Sequence, residues 1–287
     1  MSALGRINKY MGIEYLSGIK PGDIIDLSRF DKHKKEKELT KDSNLENYLP
    51  FLNEALTKIA EKKNLDFPGF LNKDNRISIE GRDAETDKKI VAISENTYSA
   101  EVGKTVEDWH HDTEKNASNL TEMALTVLLQ KFLGEDFIIA RSSEYDDYNN
   151  GVDQVIIYKP TGEVVCGIDE VISKLGEEGS EKKVTKLENI MAKGGAHIKY
   201  GAKLENGKLV RAELKNIPAF YMSLSKLELG ELLESLKSNP DNKSEFEQKT
   251  FSKLLDSLES QAVKQNLAGD LKTKTDSMLE KFRGARV

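Results

Sequence analysis

The stretch Gly151-Val-Asp-Gln-Val-Ile-Ile-Tyr-Lys-Pro-Thr-Gly-Glu-Val-Val-Cys-Gly-Ile-Asp-Glu-Val171 decides the fold. Two β-rich runs flank Lys159-Pro160-Thr161-Gly162, with proline and glycine where a type I turn and a left-handed residue want them. The stretch reads as a hairpin with a three-residue loop, in which Lys159 faces Glu163 and paired numbers sum to 322. Asp153 then stands opposite Asp169. Opposed residues share a face, with Cβ atoms about 4.5–5.5 Å apart. The flanking residues are apolar, so the pair is at least partly buried. Two carboxylates so placed repel unless one is protonated or a cation sits between them, and a divalent ion that prefers oxygen is the natural cation. Glu170 points to the opposite face. A turn differing by one residue would instead send the two aspartates to opposite faces.

Outward from the hairpin, Asn119–Leu133 is apolar around most of a helix, which implies burial against a sheet, and Gly134 stops it. Strands follow at Phe137–Ala140, Val152–Tyr158 and Glu163–Val171. A helix over Glu181–Ala192 is closed by Gly194-Gly195. Strands come next at His197–Leu204, Leu209–Leu214 and Ala219–Leu224. Before this core, Ile24–Leu27 reads as a strand, Asp31–Asp42 as a mixed-charge exposed run, and Pro50–Lys63 as a helix. Arg76–Ile79 and Lys89–Ile93 read as a further hairpin. After the core, Ser225 opens a helix stopped by Asn239-Pro240, Phe246–Val263 forms another, and the basic end from Lys281 to Val287 reads as frayed. The fold class is therefore mixed α/β, with a central mixed sheet flanked by helices. Three regions are expected: 1–115, a core at 116–225, and a C-terminal helical extension at 226–287.

Lys and Arg number 43 against 49 Asp and Glu, a net charge of −6, which excludes capture of nucleic acid by a uniform basic coat. The single cysteine, Cys166, excludes an intramolecular disulfide and a cysteine zinc site. No run reaches a membrane span and the start lacks a signal-peptide core, so a cytoplasmic protein is expected. Phosphate-loop, dinucleotide and nucleophile-elbow motifs are absent.

A helix with an acid, a strand, a strand with Asp, a strand ending in an acidic motif and a helix together resemble the core of the PD-(D/E)xK nuclease superfamily. The resemblance spans roughly Ser118 to Ala192 and implies a restriction-endonuclease-like core. It matches Glu122 to the helical acid, Asp153 to the acid of the second strand and Asp169 to the first position of the motif. Val171 stands where the family has lysine, and Lys174, Lys186 and Lys199 are candidates to replace it; Lys174 is the choice. The resemblance implies metal-dependent phosphodiester hydrolysis: Asp153 and Asp169 hold Mg²⁺ or Mn²⁺, Glu122 binds the metal or orients water, and a lysine stabilises developing charge. Asn119-Leu-Thr-Glu122 also has capping-box spacing, which would turn Glu122 to solvent.

Charge is segregated in the way this reading needs. Residues 144–178 carry nine acids against Lys159 and Lys174, a local net of −7, and residues 181–215 carry nine cations against four acids, a net of +5. Lys182, Lys183, Lys186, Lys199 and Lys203 are the expected nucleic-acid contacts, with DNA preferred to RNA as partner. Glu144–Gly151 reads as a tight turn into the Asp153 strand; the alternatives are Asp147 as an extra metal ligand, or Tyr145 and Tyr148 as base-stacking surfaces. Trp109-His110-His111 reads as the start of a surface helix. The alternative to an enzyme is a catalytically silent member of the fold. In that case the C-terminal helices would bind a protein partner or a second copy.

Overall fold

Proline loses no donor in the first turn of a helix, and Pro50 sits there in α1 (Leu49–Asp66), whose buried stripe is Leu52, Leu56 and Ala60. The computed structural model describes residues 45–172, 178–206, 208–265 and 267–284. The expected strand Ile24–Leu27, the charged run Asp31–Asp42 and Lys174 lie outside the described residues. After α1 come α2 (Ala84–Glu101), α3 (Val106–Lys115) and α4 (Ala117–Leu133). A meander follows: β1 (Phe137–Arg141), β2 (Gln154–Tyr158) and β3 (Glu163–Ile172). Helix α5 (Glu178–Ala192) and the hairpin of β4 (Ala196–Glu205) and β5 (Lys208–Ile217) lead to β6 (Ala219–Leu224). The described chain ends in α6 (Lys226–Ser238), α7 (Glu245–Lys264) and α8 (Gly269–Arg283).

The main sheet has the order β1-β2-β3-β6, antiparallel through the first three and parallel between β3 and β6; β4 and β5 form a separate two-stranded sheet. This is the mixed sheet flanked by helices that the residue pattern predicts. Alternate residues divide its core. Ile139, Ile156, Cys166, Ile168, Phe220 and Met222 pack with α4, α6 and α7, whereas Ile138, Val155, Ile157 and Val164 pack with Leu187 and Met191 of α5. Burial on both faces is why these strands read as unbroken apolar runs.

The hairpin reaches the expected register by an unexpected route. Its loop has four residues, with Gly162 at φ 65° donating to the Tyr158 carbonyl at 2.8 Å, and Tyr158 pairs with Glu163. That is one residue off, but a bulge beyond Val164 corrects it, so Ile156 pairs with Cys166 and Gln154 with Ile168. Gly162 also lies where β4 comes closest: a Cβ there would meet Leu204 Cβ at 2.5 Å and its backbone N at 2.6 Å. Gly162→Ala is expected to cost about 1–3 kcal/mol, read as a lowered urea midpoint; an unchanged midpoint would contradict the close approach.

Two expectations are corrected. The hairpin of Arg76–Ile79 and Lys89–Ile93 does not form: Arg76 and Ile77 make isolated bridges to Arg141 and Leu71, and Lys89–Ile93 lies inside α2. A four-residue apolar run fits strand or helix equally; the acids Glu85 and Asp87 in the first turn favour the helix, whose Ala84, Asp87 and Val91 are buried. The basic end is ordered through Arg283, because Phe282 is buried with its ring centroid 5.7 Å from that of Phe137.

Candidate active site

Running the corrected register one step past Gln154–Ile168 brings Asp153 level with Asp169. Lys183 of α5 joins them. Its Nζ lies 2.7 Å from Asp169 Oδ1 and 3.5 Å from Asp153 Oδ2, and donates to the Glu170 carbonyl at 3.0 Å. The Glu170 N–H donates to Asp153 Oδ2 at 3.0 Å. The cation between the opposed carboxylates is thus an ammonium. Lys183 reaches it because Leu187 and Met191, four and eight residues on, bury the same face of α5 against the sheet.

Charges in this pair move one another. Burial raises the Asp169 carboxyl and the charge of Asp153 adds to it, bringing it up to about 7. Burial also opposes ionisation of Asp153, but Lys183 and donors from Asp169 and Glu170 outweigh it and hold Asp153 below the usual range. Burial lowers the Lys183 amine; the charges of Asp153 and Asp169 overcome this and hold it above its ordinary value.

Across the sheet, Glu170 alternates with Asp169 and so shares the α4 face with Ile168. It is 2% exposed, and neither carboxylate oxygen has a donor among the described residues. Burial, then the charges of Asp153 and Glu122, push its pKa well up. Glu122 is not a cap. Asn116 caps α4, accepting from Asn119 N at 2.8 Å, which leaves Glu122 inside the helix and 8% exposed. Arg141 grips it with two bonds, Nε–Oε1 at 2.6 Å and Nη2–Oε2 at 3.0 Å. Arg76 lies 3.4 Å from Glu122 Oε1 and 3.3 Å from Asp147 Oδ2. Burial and the neighbouring Asp153 raise Asp147 well above the ordinary carboxylate range. Five carboxylates (Glu122, Asp147, Asp153, Asp169, Glu170) therefore gather with three cations, Arg76, Arg141 and Lys183.

The remaining expected contacts disperse. Lys199 pairs with Asp87 at 2.6 Å and lies over the Tyr145 ring, and Lys203 pairs with Glu205 at 2.6 Å. Lys182 and Lys186 stay on the exposed side of α5. Tyr145 packs edge-on against Tyr200. The Glu144–Gly151 loop contains a single helical turn, Asp146–Asn150. Its fully buried Asp146 accepts from Lys199 N at 2.7 Å and Tyr200 N at 3.0 Å, anchoring β4, a role nothing in the local sequence signals. The C-terminal helices turn Leu229, Phe251, Leu258 and Phe282 into the core; among the described residues Val263 is the one large apolar side chain they expose.

Among the described residues no three His, Cys, Asp or Glu side chains are gathered to hold a metal ion. No described helix is long and apolar enough to cross a membrane. Set against family models, curated proteins and solved structures, the chain matches none.

Proposed function

We propose that the chain hydrolyses phosphodiester bonds of nucleic acid with a divalent cation, as a PD-(D/E)xK-type nuclease in which Lys183 replaces the lysine missing at Val171. The observation that carries this reading is Glu170, buried with no donor to either oxygen and its carboxyl against that of Asp153, in a cluster whose acids outnumber its cations. A buried unpaired carboxylate is costly, and a divalent ion would offset that cost. Mg²⁺ is commonly held by one or two carboxylates, with water and substrate phosphate completing its shell. Asp153, just before β2, has its carboxyl in contact with those of both Asp169 and Glu170, so Asp153 and Glu170 fit that requirement without a three-carboxylate cage. Asp169, the second ligand expected from the sequence, has an oxygen on the Lys183 ammonium and in this reading seats the lysine.

Bound there, Mg²⁺ or Mn²⁺ would polarise the phosphate and lower the pKa of a bound water. Lys183, kept charged by Asp153 and Asp169, donates to the negative charge that develops on the phosphate oxygens. Arg141 holds Glu122 in place, and Arg76 holds Asp147. The succession α4, β1, β2, β3, α5 supports the family reading, since it keeps the order that the resemblance implies.

A second reading, the catalytically silent binding module, is favoured by one observation: the Lys183 ammonium already neutralises the opposed aspartates. Labelled DNA and RNA incubated with Mg²⁺ or Mn²⁺ separate the two. Wild type is expected to cleave, Asp153→Ala not to cleave, and Lys183→Met to lose about 10²–10³ in rate. Equal cleavage by wild type and Asp153→Ala, or none by wild type, sinks the enzyme reading.

A further inference from the structure

We infer that the nucleic acid taken by this site presents an unpaired strand, its bases stacked on Tyr98 and Trp109 and its phosphates on Lys186 and Lys193 of α5. The inference rests on the nuclease reading above and adds the substrate class.

The single turn Asp146–Asn150 is where the two surfaces meet. It carries Asp147 into the carboxylate cluster, and its next residue, Tyr148, begins an aromatic row. The Tyr148 ring meets Tyr98 of α2 edge-on at 5.8 Å, and Tyr98 meets Trp109 of α3 at 6.1 Å with a 32° tilt. Tyr148 packs against the core, and the row runs outward from it to Tyr98 and Trp109. Helix α3 has no buried residue, yet it carries the only tryptophan of the protein. Trp109 is half-buried, its ring tilted against those of Tyr98 and His110, which leaves part of its surface of about 150–250 Å² to a ligand. Tyr98 is 38% exposed, and Ile93 of the same helix and Val102 just after it are exposed as well. Three of the five large apolar side chains exposed among the described residues thus fall on or next to α2, whereas isolated ones are ordinary.

The basic surface starts at the other end of the same turn. Gly151 closes it with φ 66°, and a Cβ there would meet Lys186 Nζ at 2.5 Å, so the amine rests over bare backbone. Lys186 has no ion-pair partner among the described residues. An open surface hollow of about 620 Å³ lies on this face of α5, lined by Glu181, Lys182, Lys186, Asn189 and Lys193 among others. Lys186 and Lys193 are seven residues apart, so they share a face with a rise of about 10.5 Å between them. They form a row, as a backbone requires.

A basic surface combined with accessible aromatic rings, here exposed Tyr98 and half-buried Trp109, is how proteins hold single strands, because every base has a face to stack. A duplex hides those faces, so it could use the lysines but not the rings.

The sole tryptophan reports on its own site. The full chain is titrated in EDTA with a single-stranded oligonucleotide of about 20 nucleotides and with the matching duplex. The single strand is expected to quench Trp109 fluorescence and to bind at least about tenfold tighter than the duplex. Tyr98→Ala, and Trp109→Ala followed by anisotropy, should each weaken single-strand binding by about tenfold. The double variant Lys186→Gln/Lys193→Gln should flatten the slope of log affinity against log salt by about 1.4. Circular dichroism shows that each variant is folded. Duplex binding as tight as the single strand with equal quenching, wild-type affinity in Tyr98→Ala or Trp109→Ala, or an unchanged salt slope would overturn the inference. Quenching without any Mg²⁺-dependent cleavage would sink the nuclease reading and leave the single-strand site standing. Cleavage without quenching would do the reverse.

Discussion

Arg141→Met is expected to destabilise the protein by about 3–5 kcal/mol, the loss typical when one partner of a buried ion pair is removed. Arg141 is 7% exposed and Glu122 8%, so solvent screens neither charge. Arg141 supplies two bonds to Glu122 and a third to Asn119 Oδ1 at 2.7 Å. Without it, Glu122 keeps only Arg76 at 3.4 Å. The double variant Glu122→Met/Arg141→Met is expected to recover most of the loss, because apolar residues of similar volume often replace a buried pair at little cost. Urea denaturation of the two single variants and the double one measures this directly. If Arg141→Met alone loses under about 1 kcal/mol, the pair is solvated and the account fails. The same double variant decides what Glu122 does. The resemblance assigns it to the metal or the water, whereas a carboxylate gripped by two guanidiniums is a positioning group. Cleavage retained within about tenfold supports positioning, and cleavage lost together with a wild-type fold supports direct participation.

The pair Asp153 and Asp169 was legible because side chains alternate along strands and turns set register. Its success depended on two errors that cancelled: the loop is one residue longer than the turn residues suggest, and a bulge beyond Val164 restores the count. Nothing in Val-Val-Cys marks which residue is extra, since each is apolar and buried. Lys183 was half legible. Its spacing to Leu187 and Met191 turns it toward the sheet, but it sits in a run of lysines that reads as a phosphate surface. Glu122 was misread locally because two asparagines three residues apart, Asn116 and Asn119, both suit a cap, and the earlier one takes the role. Its partners Arg76 and Arg141 lie 46 and 19 residues away in sequence. Such pairings belong to tertiary packing, which local pattern does not encode. The opposite orientation of Glu170, by contrast, followed from alternation alone, and that residue has the strongest physical claim on a cation.

Glu170→Gln is therefore expected to stabilise the metal-free protein at alkaline pH and to abolish its response to Mg²⁺. Glu170, Asp169 and Asp147 all have folded pKa values raised above the unfolded ones of about 4. A raised group contributes stability below its unfolded pKa and loses it as pH climbs through the folded value, about 7 for Asp169. Asp153, held low, acts in the opposite sense, so its contribution is present above an unfolded value of about 3.9. Three groups against one give wild-type protein in EDTA a melting temperature that falls between about pH 5 and pH 8. At pH 8 Mg²⁺ should restore it, because an ion on ionised Asp153 and Glu170 takes the place of the missing protons. At pH 5 the ion must compete with protons and the shift should shrink. Glutamine keeps the shape of Glu170 without the charge, so the variant should gain about 1–3 kcal/mol at pH 8 in EDTA and almost nothing at pH 5. Its Mg²⁺ shift should vanish, and cleavage should fall by about 10³, the scale of several kcal/mol of charge stabilisation. A Mg²⁺ shift that survives in Glu170→Gln places the ion elsewhere. A wild-type melting temperature that rises from pH 5 to pH 8 in EDTA means the cluster is already compensated, in which case the silent-module reading gains what the enzyme reading loses.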